Sequence, residues 1–290
     1  MKTLFRQLVR SADTHKGDYG RALLIGGSVG MSGAISLAGL AALHTGSGLV
    51  RLAVPKTILP VAASLAPEYM TIPLKEDEEG RINLANLDKI IEIAEDSDVV
   101  AIGPGLGRSP EIDTLVVRLN KTITKPMVMD ADALNAIAAD GPEMTRKNLA
   151  ESAGIRILTP HPGEFSRLSG QKITKEPNLR EQFALEYAQK WNVLLVLKGY
   201  RTVVSNGNEC YVNQTGNPGM AVGGSGDVLT GIITSLAGQH ILPFESAKMG
   251  VYLHGLAGDM AFSNRKNICH SILPTELIRN IHTVLDRFFI

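Results

Sequence analysis

The sequence predicts an α/β fold in which a mostly parallel sheet lies between two layers of helices. Short apolar runs, such as residues 22–25, 99–102 and 193–197, alternate with longer segments of helical periodicity. The runs are almost uniformly apolar, as expected of parallel strands that helices cover on both faces. Glycine-rich or polar turns follow several of these runs, which is where α/β proteins place their ligands.

Each predicted element follows from its own pattern. The predicted strands are residues 22–25, 49–54, 70–74, 99–102, 127–130, 155–158 and 193–197. The predicted helices are residues 34–43, 58–65, 87–94, 133–138, 183–191, 227–238, 247–262 and 273–289. Residues 202–205 and 209–212 flank an Asn-Gly turn and predict a hairpin, which we expect to extend the sheet in antiparallel fashion. We expect one domain over residues 1–290, with residues 1–15 as an N-terminal extension or helix.

Composition narrows the classes of function. The chain has 290 residues, with 29 Lys+Arg and 29 Asp+Glu, so a net charge of zero gives no basis for a nucleic-acid partner. Neither Cys210 nor Cys269 lies in a CxxC pair, which favours a reduced setting. The first 20 residues lack the apolar core of a signal peptide, and no run of about 18 uncharged apolar residues occurs. We therefore expect a soluble, cytoplasmic protein without membrane association.

The most informative segment is Asn-Pro-Gly-Met-Ala-Val-Gly-Gly-Ser-Gly-Asp at residues 217–227. Gly223, Gly224, Ser225 and Gly226 bring bare backbone close to a ligand, and Asp227 precedes an apolar helical run. The N–H groups of a helix start favour an anion. We expect the helix dipole to keep Asp227 ionised near neutrality, so that it can take a proton from a substrate hydroxyl. The glycine-rich backbone would meanwhile hold the charge of a transferring phosphoryl group.

Other polar or glycine residues follow five predicted strands, at Gly26, Gly103, Asp130, Thr159 and Lys198. Because the carboxyl ends of parallel strands meet at one edge of a sheet, we expect a single crevice there. Turn formation alone is the alternative for each glycine. Residues 26–30 do not fit G-x-G-x-x-G, and no Gly-Lys-Ser/Thr loop occurs, which argues against Rossmann oxidoreductases and P-loop NTPases.

Several acidic and amide side chains are candidates for a metal site. Asp130 and Asp132 could bind a metal, although Asp132 also suits an N-cap before residues 133–134. Asn135 and Glu164 could face a phosphate-bound Mg²⁺, which prefers oxygen ligands and retained waters. The alternative for Glu164 is a first-turn acid that the helix dipole favours.

Three basic side chains have structural as well as functional interpretations. His161 lies between two prolines, so it is either a ligand-binding residue or a hydrogen-bonded loop histidine. Lys198 could meet phosphate as a point charge, or it could be a solvated lysine at a strand end. His254 lies in an apolar helical segment, where a core histidine is the favoured interpretation.

Together these motifs resemble a known family. Gly-Gly-Ser-Gly-Asp before a C-terminal helix resembles the anion hole and catalytic Asp of the ribokinase-like superfamily. The further motifs are GDYGRA at 17–22, GGS at 26–28, MSGA at 31–34, GPGLG at 103–107, DADALN at 130–135, TPHPGE at 159–164 and NQTGNPGMA at 213–221. They resemble the NAD(P)H-hydrate dehydratase family in order over about residues 15–285, and imply a ribokinase-like three-layer α/β/α fold.

The resemblance implies a repair enzyme that uses ADP to dehydrate the 6S hydrate of NADH or NADPH (NADHX or NADPHX). The nucleotide phosphorylates the hydroxyl of the hydrate, and elimination of phosphate restores the dihydronicotinamide. Asp227 is then the base and Gly223, Gly224, Ser225 and Gly226 form the anion hole. The hydrate contacts are Ala34, Gly105, His161 and Asp227. The nucleotide contacts are Lys198, Gly199, Tyr200, Arg201, Thr202 and Gly226. Glu164 and Asn135 match metal-linked positions that act through water on Mg²⁺.

The resemblance also implies a homotetramer, and a separate NAD(P)H-hydrate epimerase as functional partner, since the chain has no room for a fused one. Two other classes of function stay open on the residues alone. One is a kinase for a small alcohol such as a vitamin precursor, which would leave a stable phosphoester. The other is a nucleotide-binding protein without turnover, against which the presence of Asp227 argues.

Overall fold

A computed structural model describes residues 1–173, 177–263 and 271–289. Its strands form one nine-stranded sheet in the order β3-β2-β1-β4-β5-β6-β7-β8-β9. The strands are β1 (Arg21–Ile25), β2 (Leu49–Pro55), β3 (Met70–Leu74), β4 (Val99–Ile102), β5 (Met127–Met129), β6 (Arg156–Leu158), β7 (Leu194–Leu197), β8 (Val203–Ser205) and β9 (Cys210–Val212). Each predicted strand is present, with ends that differ by no more than one residue.

The sheet is parallel from β3 to β7, and β8 and β9 add to it in antiparallel fashion. The predicted hairpin is therefore confirmed, with Val203 opposite Val212. Because β1, β4, β5, β6 and β7 are consecutive neighbours and all parallel, their carboxyl ends meet along one edge. This edge, which we call the carboxyl edge, brings the five predicted polar turns together.

The described helices are α1 (Lys2–Phe5), α2 (Ser32–His44), α3 (Leu59–Leu65), α4 (Leu87–Glu95), α5 (Pro110–Thr122), α6 (Asp132–Ile137), α7 (Pro142–Ala150), α8 (Pro162–Ser169), α9 (Pro177–Trp191), α10 (Ser225–Gly238), α11 (Pro243–Ser263) and α12 (Pro274–Phe289). The predictions above omit α5 and α7, and α8 enters them only through the alternative of Glu164 as a first-turn acid. For α5 the signal exists, since Ser109 caps Ile112 N–H and Pro110 opens the helix. Mostly polar α7 has no comparable apolar stripe.

The sheet separates two cores because successive side chains of a strand point to opposite faces. On β1, Leu23 and Ile25 pack in the core covered by α4 to α9, whereas Ala22 and Leu24 pack under α2, α10 and α11. This is the predicted three-layer arrangement.

The chain termini close a further cluster on the outer side of α10. Phe5, from the short helix in the predicted N-terminal extension, is fully buried and stacks on Phe288 with ring centroids 4.3 Å apart. Cys210 is a half-buried free thiol on β9, and Cys269 lies outside the described residues. Of the helices in the described ranges, none combines the length and apolar character needed to cross a bilayer.

Candidate functional site

Tight packing of turns builds the carboxyl edge. Gly103 ends β4 with φ +128°, and a Cβ there would overlap the carbonyl oxygen of Asp130 after the next strand. Gly27 N–H donates to the carbonyl oxygen of Pro104 at 2.8 Å, which joins the β1 and β4 turns. The glycines of these turns therefore allow neighbouring strand ends to approach closely.

The start of α10 is an open helix N-terminus. Gly224 occupies the N-cap with φ +89°, and no side chain caps the helix. Within the described ranges, nothing accepts the backbone N–H groups of Gly226 and Asp227. The N–H of Ser225 turns back toward the carbonyl oxygen of Val222 at 3.4 Å. We call residues 223–227 the cradle; its free amides suit a phosphate oxygen.

Asp227 is the third residue of α10, and its carboxylate receives no hydrogen bond from the part of the chain that the structure describes. Burial, reinforced by the charge of Asp130 and opposed by Lys198, raises the pKa of Asp227 to about 7. The expectation of a carboxylate that is ionised near neutrality holds only in part, because burial and the Asp130 charge favour the protonated form. Both protonation states are populated at pH 7, as a general base near its working pH requires.

Lys198 places a partly buried cation beside the cradle. Its Nζ lies 2.6 Å from Asp130 Oδ1 and 3.9 Å from Glu164 Oε2, and a Cβ on Gly226 would lie 3.3 Å from Nζ. Thr230 Oγ donates to the other Asp130 oxygen at 2.7 Å. Burial opposes the lysine charge, but Asp130 and Glu164 outweigh it and raise the pKa of Lys198. The interpretation as a solvated lysine is wrong, because this ammonium is held between carboxylates.

The loop after Lys198 is braced from α9. Arg180 donates to the carbonyl oxygens of Leu197, Lys198 and Tyr200 at 2.6–3.1 Å. The side chain of Tyr200 is 87% exposed. Arg201 has φ +55°, and Thr202 Oγ donates to the Gly199 carbonyl oxygen at 3.0 Å to close the turn. Of the predicted nucleotide contacts, residues 198–202 therefore form one loop that begins beside the cradle, and Gly226 lies in the cradle itself.

The start of α8 is closed by its own side chains. His161 Nδ1 accepts the N–H groups of Gly163 and Glu164 at 3.0 and 3.3 Å, and Glu164 Oε2 accepts the N–H of His161 at 2.8 Å. This is a capping box, the arrangement expected of a first-turn acid. Burial raises the pKa of Glu164, while burial and the Lys198 charge lower the pKa of His161. A neutral His161 with Nδ1 accepting carries its proton on Nε2, 3.4 Å from Glu164 Oε1.

The candidate metal-linked residues are partly engaged. Asn135 Oδ1 accepts from Arg167 Nε at 2.8 Å, and Asp132 Oδ2 accepts the Gly107 N–H at 2.9 Å. The N-cap of α6 is Ala131, so the interpretation of Asp132 as the cap is wrong. No group of three or more His, Cys, Asp or Glu in the described ranges is arranged to hold a metal. These oxygen donors therefore fit Mg²⁺ as a partner of waters and phosphate, not as an ion in a protein cage.

Ala34 and Gly105, two of the predicted hydrate contacts, lie side by side. A Cβ on Gly105 would lie 3.1 Å from the Ala34 Cβ. Ser28 Oγ donates to the Gly105 carbonyl oxygen at 2.9 Å and holds this turn in place. The two residues belong to the same edge as the cradle, because the start of α2 touches the start of α10 through Leu37 and Gly224.

Helix α11 supports the segment that leads into the cradle. Asp259 accepts the Gly216 N–H and the Asn217 side-chain amide, each at 2.9 Å. Thr215 Oγ donates to the Tyr252 carbonyl oxygen at 3.0 Å. Residues 213–221 are therefore held against α11 by hydrogen bonds and lead directly into the cradle. We call this segment the strap.

Three residues near the site escaped the sequence reasoning as site residues. Thr230 follows Asp227 by three residues, hence on the same helix face, which is a usable signal. His254 is a histidine in an apolar helix, and its ring meets Ser225. Arg180 carried no sequence signal, because its partners are main-chain carbonyl groups in a distant loop.

A separate groove of about 770 Å³ lies at the other end of α2 and α10, where His44 and Gln239 line it. None of the predicted site residues lines it. The chemistry therefore concentrates at the carboxyl edge in spite of the size of this distal groove.

Comparison with known proteins agrees with this geometry. The bifunctional NAD(P)H-hydrate repair enzyme of Moorella thermoacetica is 48% identical over 257 residues, or 88% of this chain and 48% of that one. The chain thus spans about half the length of that relative. The ADP-dependent (S)-NAD(P)H-hydrate dehydratase of Neisseria meningitidis serogroup B is 38% identical over 87% of this chain and 80% of its own.

A solved structure extends the agreement to the fold. The ADP/ATP-dependent NAD(P)H-hydrate dehydratase of Bacillus subtilis, co-crystallised with ATP/Mg²⁺, is 31% identical and has a TM-score of 0.80, covering 99% of this chain and 97% of that one. The expected ribokinase-like three-layer fold is confirmed. A family model described as NAD(P)H-hydrate dehydratase matches residues 22–283. The chain therefore belongs to the NAD(P)H-hydrate dehydratase family.

Proposed function

We propose that this protein uses ADP to dehydrate the 6S hydrate of NADH or NADPH. The observation that supports it most is the juxtaposition at the start of α10. Free amides of the cradle, a carboxylic acid with a pKa of about 7 and a partly buried ammonium meet there. This combination suits transfer of a phosphoryl group to an alcohol, in which positioning and electrostatic stabilisation do most of the work.

In the proposed reaction, the Asp227 carboxylate takes the proton of the hydrate hydroxyl as its oxygen attacks the β-phosphorus of ADP, and AMP leaves. The amides of Gly223, Gly224 and Gly226 and the Lys198 ammonium stabilise the charge on the transferring group. Phosphate then departs with the C–O bonding electrons, a proton leaves the adjacent ring carbon, and the ring double bond re-forms. The net result is loss of water from the hydrate and cleavage of ADP to AMP and phosphate.

We propose that ADP lies along Lys198, Gly199, Tyr200, Arg201 and Thr202, with its phosphates directed to Gly226. The bracing of this loop by Arg180 supports a preformed binding surface. The exposure of Tyr200 favours main-chain over side-chain recognition there. Mg²⁺ would add Lewis-acid stabilisation of the phosphates when bound, and Glu164 and Asn135 would hold it through water.

We propose that the dihydronicotinamide hydrate binds against Ala34, Gly105 and His161, opposite Asp227. Ala34 and Gly105 lie within contact distance of one another. The His161 side chain is half exposed, and the charge of Lys198 helps to lower the pKa of His161. A neutral His161 offers its Nε2–H to a substrate oxygen, since Nδ1 is already engaged.

The decisive test is Asp227→Asn. The variant should lose at least about 100-fold in ADP-dependent recovery of reduced-nicotinamide absorbance, because the base is removed. Binding of ADP, measured by calorimetry, should persist. The matched control is Asp286→Asn, on the exposed side of α12, which should keep full turnover. Undiminished turnover in Asp227→Asn would rule out the proposed base.

Product analysis separates dehydration from kinase action. A dehydratase releases free phosphate and the reduced nicotinamide together, whereas a small-alcohol kinase leaves a stable phosphoester. Accumulation of a phosphorylated vitamin-precursor alcohol, with no turnover of the hydrate, would show that the protein is a kinase and not a dehydratase. Binding of ADP with no turnover of either substrate would show that it is a nucleotide-binding protein without catalytic activity.

We further propose a cytoplasmic homotetramer that works with a separate NAD(P)H-hydrate epimerase. The bifunctional name of the Moorella relative supports the pairing of two repair activities. Light scattering that returns the mass of a monomer would overturn the tetramer. Cell fractionation would test the location, and unchanged clearance of mixed hydrates when the epimerase is withheld would overturn the pairing.

A further inference from the structure

We propose that His254 is a positioning residue that orients the cradle amide at Gly226, an inference that rests on the proposed function. His254 lies within α11, and its Nε2 is 3.0 Å from the carbonyl oxygen of Ser225, the first residue of α10.

The partner of the ring nitrogen determines its tautomer. A carbonyl oxygen only accepts, so Nε2 carries the proton and donates it to Ser225. Burial lowers the pKa of His254 to about 4, with Lys198 adding to the effect, so the ring is neutral at physiological pH. The Ser225 Oγ, 3.3 Å from the same nitrogen, makes at most a weaker contact. His254 is thus a fixed, uncharged donor to one main-chain carbonyl.

That carbonyl belongs to the peptide group whose N–H is the free amide of Gly226. In a planar trans peptide, the C=O of one residue and the N–H of the next point in opposite directions. Holding the Ser225 carbonyl toward α11 therefore turns the Gly226 N–H away from α11. Gly226 also borders the Lys198 ammonium, since a Cβ on Gly226 would lie 3.3 Å from Nζ. Glycine on both sides of Ser225 makes the first turn of α10 intrinsically flexible, so an external anchor adds to the constraint that the helix itself imposes.

The same helix anchors the strap that leads into the cradle. Tyr252 and Asp259 of α11 bind Thr215, Gly216 and Asn217, so α11 fixes the approach segment as well as the first peptide of α10. A neutral donor suits this position, because a cation here would attract the transferring phosphoryl group directly and compete with Lys198. His254 acts through the Ser225 peptide and does not touch the substrate.

The experiment compares His254→Leu with His254→Gln and His254→Asn. Glutamine places an amide N–H near the position of Nε2, whereas leucine has no donor and asparagine is too short. We expect His254→Leu and His254→Asn to lower kcat about 10-fold or more with KM for ADP changed less than about 2-fold. We expect His254→Gln to recover most of kcat. His282→Leu, the same substitution on the exposed side of α12, is the control.

A second readout is independent of hydrate turnover. AMP with aluminium fluoride and Mg²⁺ mimics the β-phosphoryl group in transfer from ADP, and the affinity of this complex reports the cradle amides. Loss of donor at His254 should weaken this complex about 10-fold while ADP alone binds as before, and glutamine should restore it. That outcome supports the inference even if the wild type fails to dehydrate the hydrate, which would refute only the proposed function.

Two results would overturn the inference. One is an unchanged ratio of fluoride-complex to ADP affinity in the leucine and asparagine variants. The other is a loss of kcat that follows the melting temperature and that glutamine does not rescue, because a core-packing role alone predicts this. If the leucine variant does not fold, the asparagine and glutamine pair decides the matter.

Discussion

Helices α8 and α10 both begin at the carboxyl edge, yet one N-terminus is closed and the other open. In α8 the His161 ring and the Glu164 carboxylate use up the backbone donors of the first turn. In α10 a glycine in the left-handed region takes the N-cap, and no side chain replaces it. Both starts carry an acid whose pKa burial raises, the buried Glu164 and the partly buried Asp227.

The difference shows how one fold uses one helix start for structural stability and another for ligand binding. In a capped helix start, side chains of the protein accept the free backbone N–H groups, which makes the turn rigid. An uncapped start keeps them for a ligand, and its acid stays without hydrogen bonds in the described structure. The Lys198 ammonium lies between the two, bonded to Asp130 and near Glu164.

The first prediction concerns the stability cost of the open start. The pKa of Asp227 is raised from 3.8 to about 7, so the folded protein binds a proton more readily than the unfolded chain. Stability therefore falls as pH rises from about 4 to about 7, and the full penalty is present above that. Asp227→Asn should raise the free energy of unfolding at pH 8 by as much as about 4 kcal/mol.

Urea denaturation at several pH values measures this effect. The difference between Asp227→Asn and wild type should become small near pH 4 and vanish below about pH 3, where Asp227 is protonated in both the folded and the unfolded chain. Asp286→Asn is again the control. If the gain in free energy of unfolding from Asp227→Asn is no larger at pH 8 than at pH 4, burial of the ionised Asp227 carries no free-energy penalty.

The second prediction sharpens the role of the glycine N-cap. Alanine at Gly224, with φ +89°, would be strained and would lie 2.8 Å from Leu37 Cδ1. Alanine at Gly170, with φ +73° at the C-terminus of α8, meets Pro142 at 3.0 Å and is similarly strained. Each substitution should cost about 1–2 kcal/mol in unfolding experiments.

Only Gly224→Ala should also lower turnover, by up to about 100-fold, because it displaces the cradle amides. Steady-state assays of the two variants, corrected for folded fraction, separate the effects. Equal turnover in Gly224→Ala and Gly170→Ala would contradict a catalytic role for the uncapped start of α10.

The third prediction tests the closed start. His161→Ala removes the ring that accepts the Gly163 and Glu164 N–H groups and should cost about 1 kcal/mol of stability. The loss should be insensitive to pH above about 7, because a lowered pKa keeps His161 neutral there. Chemical denaturation at pH 7 and pH 8 checks both points, and an undiminished free energy of unfolding would contradict the cap.

Much of the architecture was predictable because the strands are short, apolar and followed by glycine or polar turns. The hairpin followed from its Asn-Gly turn, and the helix after the cradle followed from the spacing of Val228, Leu229, Ile232 and Ile233. The missing α7 shows the limit of that reasoning. A helix whose buried residues include Thr145 and Asn148 has no clear apolar period.

The sequence by itself determined that a glycine-rich turn would precede an acid at a helix start, since these residues are adjacent and their conformational preferences are local. Only the tertiary structure decided how that acid behaves. Asp130 meets Lys198 across 68 residues of chain and Thr230 across 100, and this packing buries Asp227 and raises its pKa. Charge interactions depend on distance in space and on burial, which the order of residues along a chain does not specify.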